Sequence, residues 1–260
     1  MALDEALLET AGHKGVVSVR VYTWRAPCVT IGRFQSVRRT MPPGALRSCV
    51  PMARRITGGR AILHGGDVTL SVAMPTRGSG LALRDARDVQ GIYAALVAPI
   101  ARSLASQGAE VIRGKGGSAG DGGDCFDSAG ACDLVELRTG LKRVGAALHV
   151  APEAALLQAS IPCRPCPCPD PELAAVFRGT EQLVGALESS HMDEDSLCRS
   201  LFEAFGELFG PCTVSAEPGF DELERAAELV RTRYARPEWT AEGRLAPLDA
   251  GLVAAPAGGA

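Results

Sequence analysis

No β-rich run in this chain passes through a glycine turn into an amphipathic helix and straight back into a strand. That alternation builds a parallel, doubly wound sheet, so its absence argues against a Rossmann-type architecture. Runs of period-two alternation instead follow one another at short spacing, with helical patterns grouped between them. This is the pattern of an α+β sheet flanked by helices in a single domain.

Read in chain order, DEALLETA (residues 4–11) is a short amphipathic helix, and VVSVRVYTW and CVTIGRF are β-rich runs that predict a hairpin through RAPC. DVTLSVAMP predicts a further strand. Residues 88–111 predict a helix with Ile92, Leu96, Ile100 and Leu104 on one face, a kink at Pro99 and Gly108 just past its end. Residues 133–161 predict a meander of three strands, turning at Thr139-Gly140 and at Ala151-Pro152. Two helices close the domain. Residues 196–210 bury Leu197, Leu201, Phe205 and Leu208, and residues 221–235 open on Asp221 and Glu224 as a capping box. The glycine loop 114–124 lacks the Lys-Ser or Lys-Thr ending of a nucleotide-binding loop and is a mobile lid at most. Residues 1–245 make up the domain, and the Ala/Gly/Pro-rich tail 246–260 is expected to be disordered.

With 27 basic against 30 acidic residues the whole molecule is no electrostatic partner for nucleic acid or an anionic membrane, so any anion recognition is local. No apolar run approaches the ~20 residues that span a bilayer, and the N-terminus lacks the basic start and apolar core of a secretory signal. A cytoplasmic location is expected. Nine cysteines, an odd number and mostly scattered, fit a reducing compartment with buried thiols and one or two chemical ones. Cys163, Cys166 and Cys168 crowd into CRPCPCPDP, but a structural metal wants four ligands and the prolines stiffen the loop, so no metal is expected.

The densest chemistry lies in ARRITGGRAILHGGDVTLSV, residues 53–72. Gly58-Gly59 could be an ordinary hairpin turn. Bare glycines also let a ligand lie against the backbone, where N–H groups can bind an anion or a carbonyl oxygen. Arg54, Arg55 and Arg60 add local positive charge, with Thr57 between them, and His64 is a weaker candidate beside the second glycine pair.

MALDEALLE, YTWRAPCVTIGRFQ, this double-glycine segment and GLKRVGAAL occur in the order found in the biotin and lipoate protein ligase superfamily, which this chain resembles from Met1 to about Trp239. The resemblance implies a mixed sheet of the class II aminoacyl-tRNA synthetase and biotin synthetase type. In it the double-glycine strand and the lysine strand, with Gly145 and Ala146, line a tunnel for an acyl chain. Burial of roughly seven carbons at about 0.8 kcal/mol each would supply around 5 kcal/mol before ordering costs.

Within the superfamily, CFD at Cys125, Phe126 and Asp127 is similar to the cysteine-dependent octanoyltransferases, and Arg60 after the glycine pair fits the same branch. The resemblance implies transfer of octanoyl from acyl carrier protein to Cys125 and then to a lipoyl-domain lysine. Acceptors of that kind are glycine-cleavage H protein and the acyltransferase subunit of a 2-oxoacid dehydrogenase. Lys142 is the motif lysine, serving either as an ammonium that stabilises the thiolate or as a desolvated amine that takes its proton. No cofactor is needed on this reading. The same-fold alternative is a lipoate-protein ligase that uses ATP and magnesium and leaves Cys125 idle. A third is a non-catalytic acyl-binding regulatory homologue.

The sequence departs from the pattern at several positions. Gly65 stands where an acidic residue is expected after the histidine, and Leu70 where a tyrosine is usual. Ala146 and Leu148 replace polar residues. Asp133-Leu134 also fits the aspartate-leucine pair of the ligases, and the strand expected before the first helix is absent or truncated.

Overall fold

The computed structural model describes residues 1–85, 88–115, 123–130, 132–187, 192–210, 214–215 and 217–244. Most of the glycine loop and the tail lie outside these residues, and the lid and disordered-tail expectations lie there with them.

Helix α1 (Ala2–Lys14) leads into β1 (Ser18–Tyr22) and β2 (Cys28–Ile31). A one-turn helix α2 (Val37–Thr40) precedes β3 (Met52–Arg54), β4 (Ile62–His64) and β5 (Asp67–Pro75). Helix α3 (Val89–Ser106) is followed by β6 (Val111–Arg113), β7 (Leu134–Glu136), β8 (Gly145–Val150) and β9 (Ala154–Pro162). Among the described residues the α-helices α4 (Pro171–Ala174), α5 (Arg178–Leu187), α6 (Glu194–Phe209), α7 (Phe220–Leu229) and α8 (Pro237–Glu242) follow.

The main sheet is four-stranded and antiparallel, ordered β1-β5-β9-β8. Its pleat divides its residues between two faces. Val68, Leu70, Val72 and Met74 of β5 and Ala155, Leu157, Ala159 and Ile161 of β9 point into the large core beneath α3 and α6. The predicted stripe Ile92, Leu96, Ile100 and Leu104 is fully buried there, worth roughly 1.5–3 kcal/mol per side chain, and α3 runs through Pro99 as one helix. The opposite face carries small and polar side chains in cross-strand rows. Thr69, Ser160 and Gly145 form one row, and Ser71, Gln158 and Ala147 the next.

A second, three-stranded sheet, β3-β2-β4, lies against that face, with β2 parallel to β3 and antiparallel to β4. Val29, Ile31 and Leu63 pack away from the main sheet into a smaller core with Leu173 and Phe177. Thr30, Ile62 and His64 therefore face inward.

Three expectations are corrected. β1 and β2 do not form a hairpin: β1 pairs with β5, and β2 enters the other sheet. The linker lacks hairpin turn chemistry, and Trp24 redirects it by stacking on His64 at 4.4 Å and donating to Thr69 Oγ1 at 2.8 Å. Gly58-Gly59 is not a hairpin turn either, because β3 and β4 both pair with β2 and not with each other. The capping box fails because α7 begins earlier, at Phe220 after Gly219, which puts Asp221 inside the first turn.

Candidate active site

A cavity of about 350 Å³, including its open mouth, lies between the polar face of the main sheet and the three-stranded sheet. Its walls include Thr30, Arg55, Ile62, His64, Cys125, Gly145, Ala147 and Gln158, and Gly59 stands at the exposed edge.

The polar side chains of this wall bond to one another. Asp67 accepts from His64 Nδ1 at 2.8 Å, Ser160 Oγ at 2.6 Å, Thr69 Oγ1 at 3.0 Å and the Gly65 N–H at 3.2 Å. On its other side His64 Nε2 lies 2.8 Å from Thr30 Oγ1, within hydrogen-bond distance. Thr30 in turn accepts from Arg55 Nη1 at 2.8 Å. Gln158 accepts from Thr57 Oγ1 and donates to Asp4, each at 2.7 Å. Satisfied in this way, the wall offers a guest mainly its carbon atoms, as an alkyl chain requires. His64 is thus a structural member of the wall.

Gly65, the unexpected glycine, has φ 133°, and a Cβ there would meet Cys166 Sγ at 3.0 Å. An acidic side chain there would be strained by that φ and would press on Cys166. Leu70 and Leu148 pack in the core on the other side of the sheet, as does the side chain of Ala146, so these substitutions leave the cavity face unchanged.

Arg55 and Arg54, adjacent in sequence, point to different places. Arg55 is buried at the cavity wall and holds the double-glycine loop, with Nη2 donating to the Gly58 and Arg60 carbonyls at 2.9 and 3.0 Å. Burial pulls its guanidinium down to about 10, still charged at neutral pH. Arg54 is absent from the cavity. Its guanidinium donates to the carbonyls of Gly32, Arg33 and Gln35 on one side and Trp239, Thr240 and Ala241 on the other, which fastens α8 to the chain after β2. The N–H groups of Gly58 and Gly59 find no acceptor among the described residues. Gly59, at φ 82°, needs the freedom of glycine. Arg60 joins this loop to the cysteine segment through Ser128 Oγ at 3.1 Å.

Cys125 reaches the cavity because residues 123–125 run beside the start of β4: Ala61 N–H donates to Gly123 O at 3.0 Å and Cys125 N–H to Ala61 O at 2.9 Å. Buried Asp124 secures the segment by accepting from the N–H groups of Phe126 and Thr180 at 3.0 and 3.1 Å. The Cys125 thiol is buried and lies over Gly145, where a Cβ would stand 3.2 Å from Sγ.

Lys142, buried just before β8, interacts with both Cys125 and Asp133, whose carboxylate is 2.9 Å from Nζ. Burial alone lowers its pKa, but the charges and hydrogen-bonding reach of Cys125 and Asp133 outweigh it and hold the pKa above the usual lysine value. Of the two roles open to Lys142, this environment supports the ammonium. The partnership with Asp133 escaped the sequence reading, although the aspartate-leucine pair was its visible signal. Gln158, Ser160 and Thr30 were missed because they become cavity residues only through strand alternation.

The three thiols of the proline-rich loop diverge. Cys163 packs in the large core, while Cys166 and Cys168 pack against the smaller one. Burial raises both Cys163 and Cys166 to about 11, unlike a ready nucleophile. No described helix is long and apolar enough to cross a membrane.

Residues 1–162 match the model of the lipoyl protein ligase A/B catalytic domain. The chain is 40% identical over 78 residues to an octanoyltransferase LipM of Exiguobacterium, covering 29% of this chain and 28% of that protein. It is 32% identical over 139 residues to the octanoyltransferase LipM of Oceanobacillus iheyensis, covering 52% of this chain and 49% of that one. The matched stretch thus spans half or less of these relatives. In fold the chain resembles a T. acidophilum protein solved with lipoic acid bound, with a TM-score of 0.74 at 22% identity over 94% of this chain and 93% of that one.

Proposed function

The chain belongs to the lipoyl protein ligase A/B catalytic-domain family, and from that premise we propose that it is an octanoyltransferase that carries the acyl group on Cys125. One observation carries this reading: the Cys125 thiol lines the cavity between the two sheets, with the Lys142 ammonium in its company. An ATP-dependent ligase would have no use for a thiol there. The likeness to octanoyltransferases points the same way.

In the first half-reaction Cys125 gives up its proton and its sulfur attacks the carbonyl carbon of a carrier-bound octanoyl thioester. The carrier sulfur leaves as a thiolate and takes up a proton. Lys142 stabilises the Cys125 thiolate, and the free N–H groups of Gly58 and Gly59 offer donors at the cavity mouth for the polar end of the acyl group. The alkyl chain lies along Ile62, Gly145 and Ala147. In the second half-reaction the neutral ε-amine of a lipoyl-domain lysine attacks the enzyme thioester, an amide forms, and the Cys125 sulfur departs and regains a proton. Thioester to thioester is close to isoenergetic and thioester to amide is downhill, so no nucleotide enters.

The test is acylation by octanoyl-loaded carrier protein alone. The expected adduct is one octanoyl group on Cys125, released by hydroxylamine and absent from Cys125→Ala. Full activity of Cys125→Ala with lipoate and ATP would establish the ligase reading in its place, and an adduct on Cys132 would show the wrong thiol had been assigned.

A further inference from the structure

Between Glu9 and Asp67 the chain carries ten basic residues and no acidic one, in a molecule of net charge −3. Folding uses several of those charges internally. Arg54 and Arg55 are buried on carbonyl groups, Arg20 is paired with Asp4, and Arg33 donates to the Gly243 carbonyl and lies over the Trp239 ring. Arg38, Arg39 and Arg47 remain exposed, and their side chains have no ion pair or hydrogen bond among the described residues. Phe34, 89% exposed, precedes them, and Leu46 is exposed next to Arg47.

An exposed phenylalanine alone means nothing; its position does. Gly32 packs so closely on the Gly59 carbonyl that any side chain there would clash. Gln35 Nε2 donates to the Gly123 carbonyl at 3.0 Å, and Thr40 lies against Gly123. Phe34 and the α2 arginines therefore ride on a segment fixed between the double-glycine loop at the cavity mouth and the residues leading into Cys125. Two carboxylates lie against this segment at its far end: Glu172 beside Gly44, and Asp170, which is hydrogen-bonded to Ser48 next to Arg47.

We propose that this face, Phe34 with Arg38, Arg39 and Arg47, docks an acidic acyl-carrier protein and aligns its thioester with the cavity mouth. The proposal rests on the acyl-transfer reading of the site. Unpaired arginines on an otherwise acidic molecule steer an acidic partner to one face, and a central aromatic contact fixes its orientation. Donor and acceptor both have to reach the Cys125 sulfur. The donor, however, must also thread an alkyl chain past Gly59, whereas the acceptor brings only an amine, so the oriented dock at the mouth is assigned to the donor.

The test compares the unaltered chain with Arg38→Glu/Arg39→Glu and with Phe34→Ala, all at exposed positions outside the catalytic site. Binding of the octanoyl-loaded carrier is measured by fluorescence anisotropy across a salt series, and acylation of Cys125 is measured with octanoyl-pantetheine, a donor without a protein. Carrier binding should weaken with salt and fall by about tenfold or more in the double reversal. Acylation by octanoyl-pantetheine and KM for the lipoyl-domain acceptor should not change. Carrier binding indifferent to the arginines would overturn the proposal, as would an effect confined to KM for the acceptor. If octanoyl-pantetheine fails to acylate even the unaltered chain, the transfer reading falls instead, while carrier binding still decides the docking face.

Discussion

Lys142 Nζ and a carboxylate oxygen of Asp133 stand 2.9 Å apart on the two sides of the turn through Gly140, both largely withdrawn from water. The pair is held by the backbone bonds of that turn, Arg143 N–H to Leu134 O at 2.8 Å and Glu136 N–H to Leu141 O at 2.9 Å. On the proposed reading Asp133 acts on Cys125 through Lys142, as a positioning residue that keeps the lysine charged.

Replacing Lys142 with methionine should lower acyl-enzyme formation by about a hundredfold, the usual scale for removing one preorganised charge. Asp133→Asn should act differently. Asp133 helps to raise the Lys142 pKa, so its loss lowers that pKa and the lysine sheds its proton at a lower pH. The alkaline limb of the pH–rate profile should then move toward neutrality while the rate at pH 6 stays near normal. A uniform drop at every pH would show that Asp133 only supports the fold.

Asp124 gives a second pH signature. Burial raises its carboxyl to about 6, and the Phe126 and Thr180 N–H groups only partly offset this. With a folded pKa above the unfolded value of 3.8, its contribution to stability is complete below pH 3.8 and is lost as pH rises through 6. The loss is on the order of 3 kcal/mol at neutral pH. Asp124→Asn stays neutral throughout and keeps one oxygen to accept a backbone N–H. Its Tm relative to the unaltered protein should therefore rise steadily between pH 4 and pH 7. A difference that does not vary with pH would mean that Asp124 does not titrate there.

The parts of the site legible in the sequence are those whose meaning is local. Gly58, Gly59 and Arg55 stand within five residues of one another, and the loop that joins them appears where the sequence places it. Cys125 and Lys142 are far apart in sequence, and their relation came from a family resemblance rather than from spacing. Arg54 and Arg55 could not be told apart, because which of two adjacent side chains enters a cavity depends on the pleat of β3 and on α8, about 185 residues away. The hairpin reading of β1 and β2 failed for a related reason. Two alternating runs in succession satisfy hairpin pairing and sheet exchange equally well, and the anchoring of Trp24 on Thr69 decides between them.

Arg54→Lys separates architecture from catalysis. A lysine cannot reproduce a planar fork that bonds carbonyls on two segments, so some of those buried acceptors lose partners at about 1–3 kcal/mol each. The expected result is a lowered Tm with faster amide exchange in residues 237–242, and only a secondary loss of transfer. Arg55→Lys should instead raise KM for the octanoyl donor, because it frees the Gly58 and Arg60 carbonyls at the mouth. Identical phenotypes for the two variants would contradict their division of labour.

The most direct test of the cavity is Gly145. It lies in β8 without a positive φ, so the backbone tolerates any residue and a β-branched one suits a strand. What forbids a side chain is space: a Cβ would stand 3.1 Å from Phe126 Cζ, 3.2 Å from Cys125 Sγ and 3.3 Å from Ile62 Cδ1. Alanine asks those three neighbours to yield by a few tenths of an ångström, which costs about 1–3 kcal/mol, and Cys125 should still be acylated, only more slowly. Valine adds two methyl groups that point among the same three atoms and cannot be accommodated beside an acyl group on the sulfur. Gly145→Val should therefore keep its far-ultraviolet circular dichroism but form no octanoyl adduct by intact mass, and small thiol reagents should alkylate Cys125 more slowly. Normal acylation of Gly145→Val would mean that the acyl chain does not pass over β8, and the cavity would have to be reassigned.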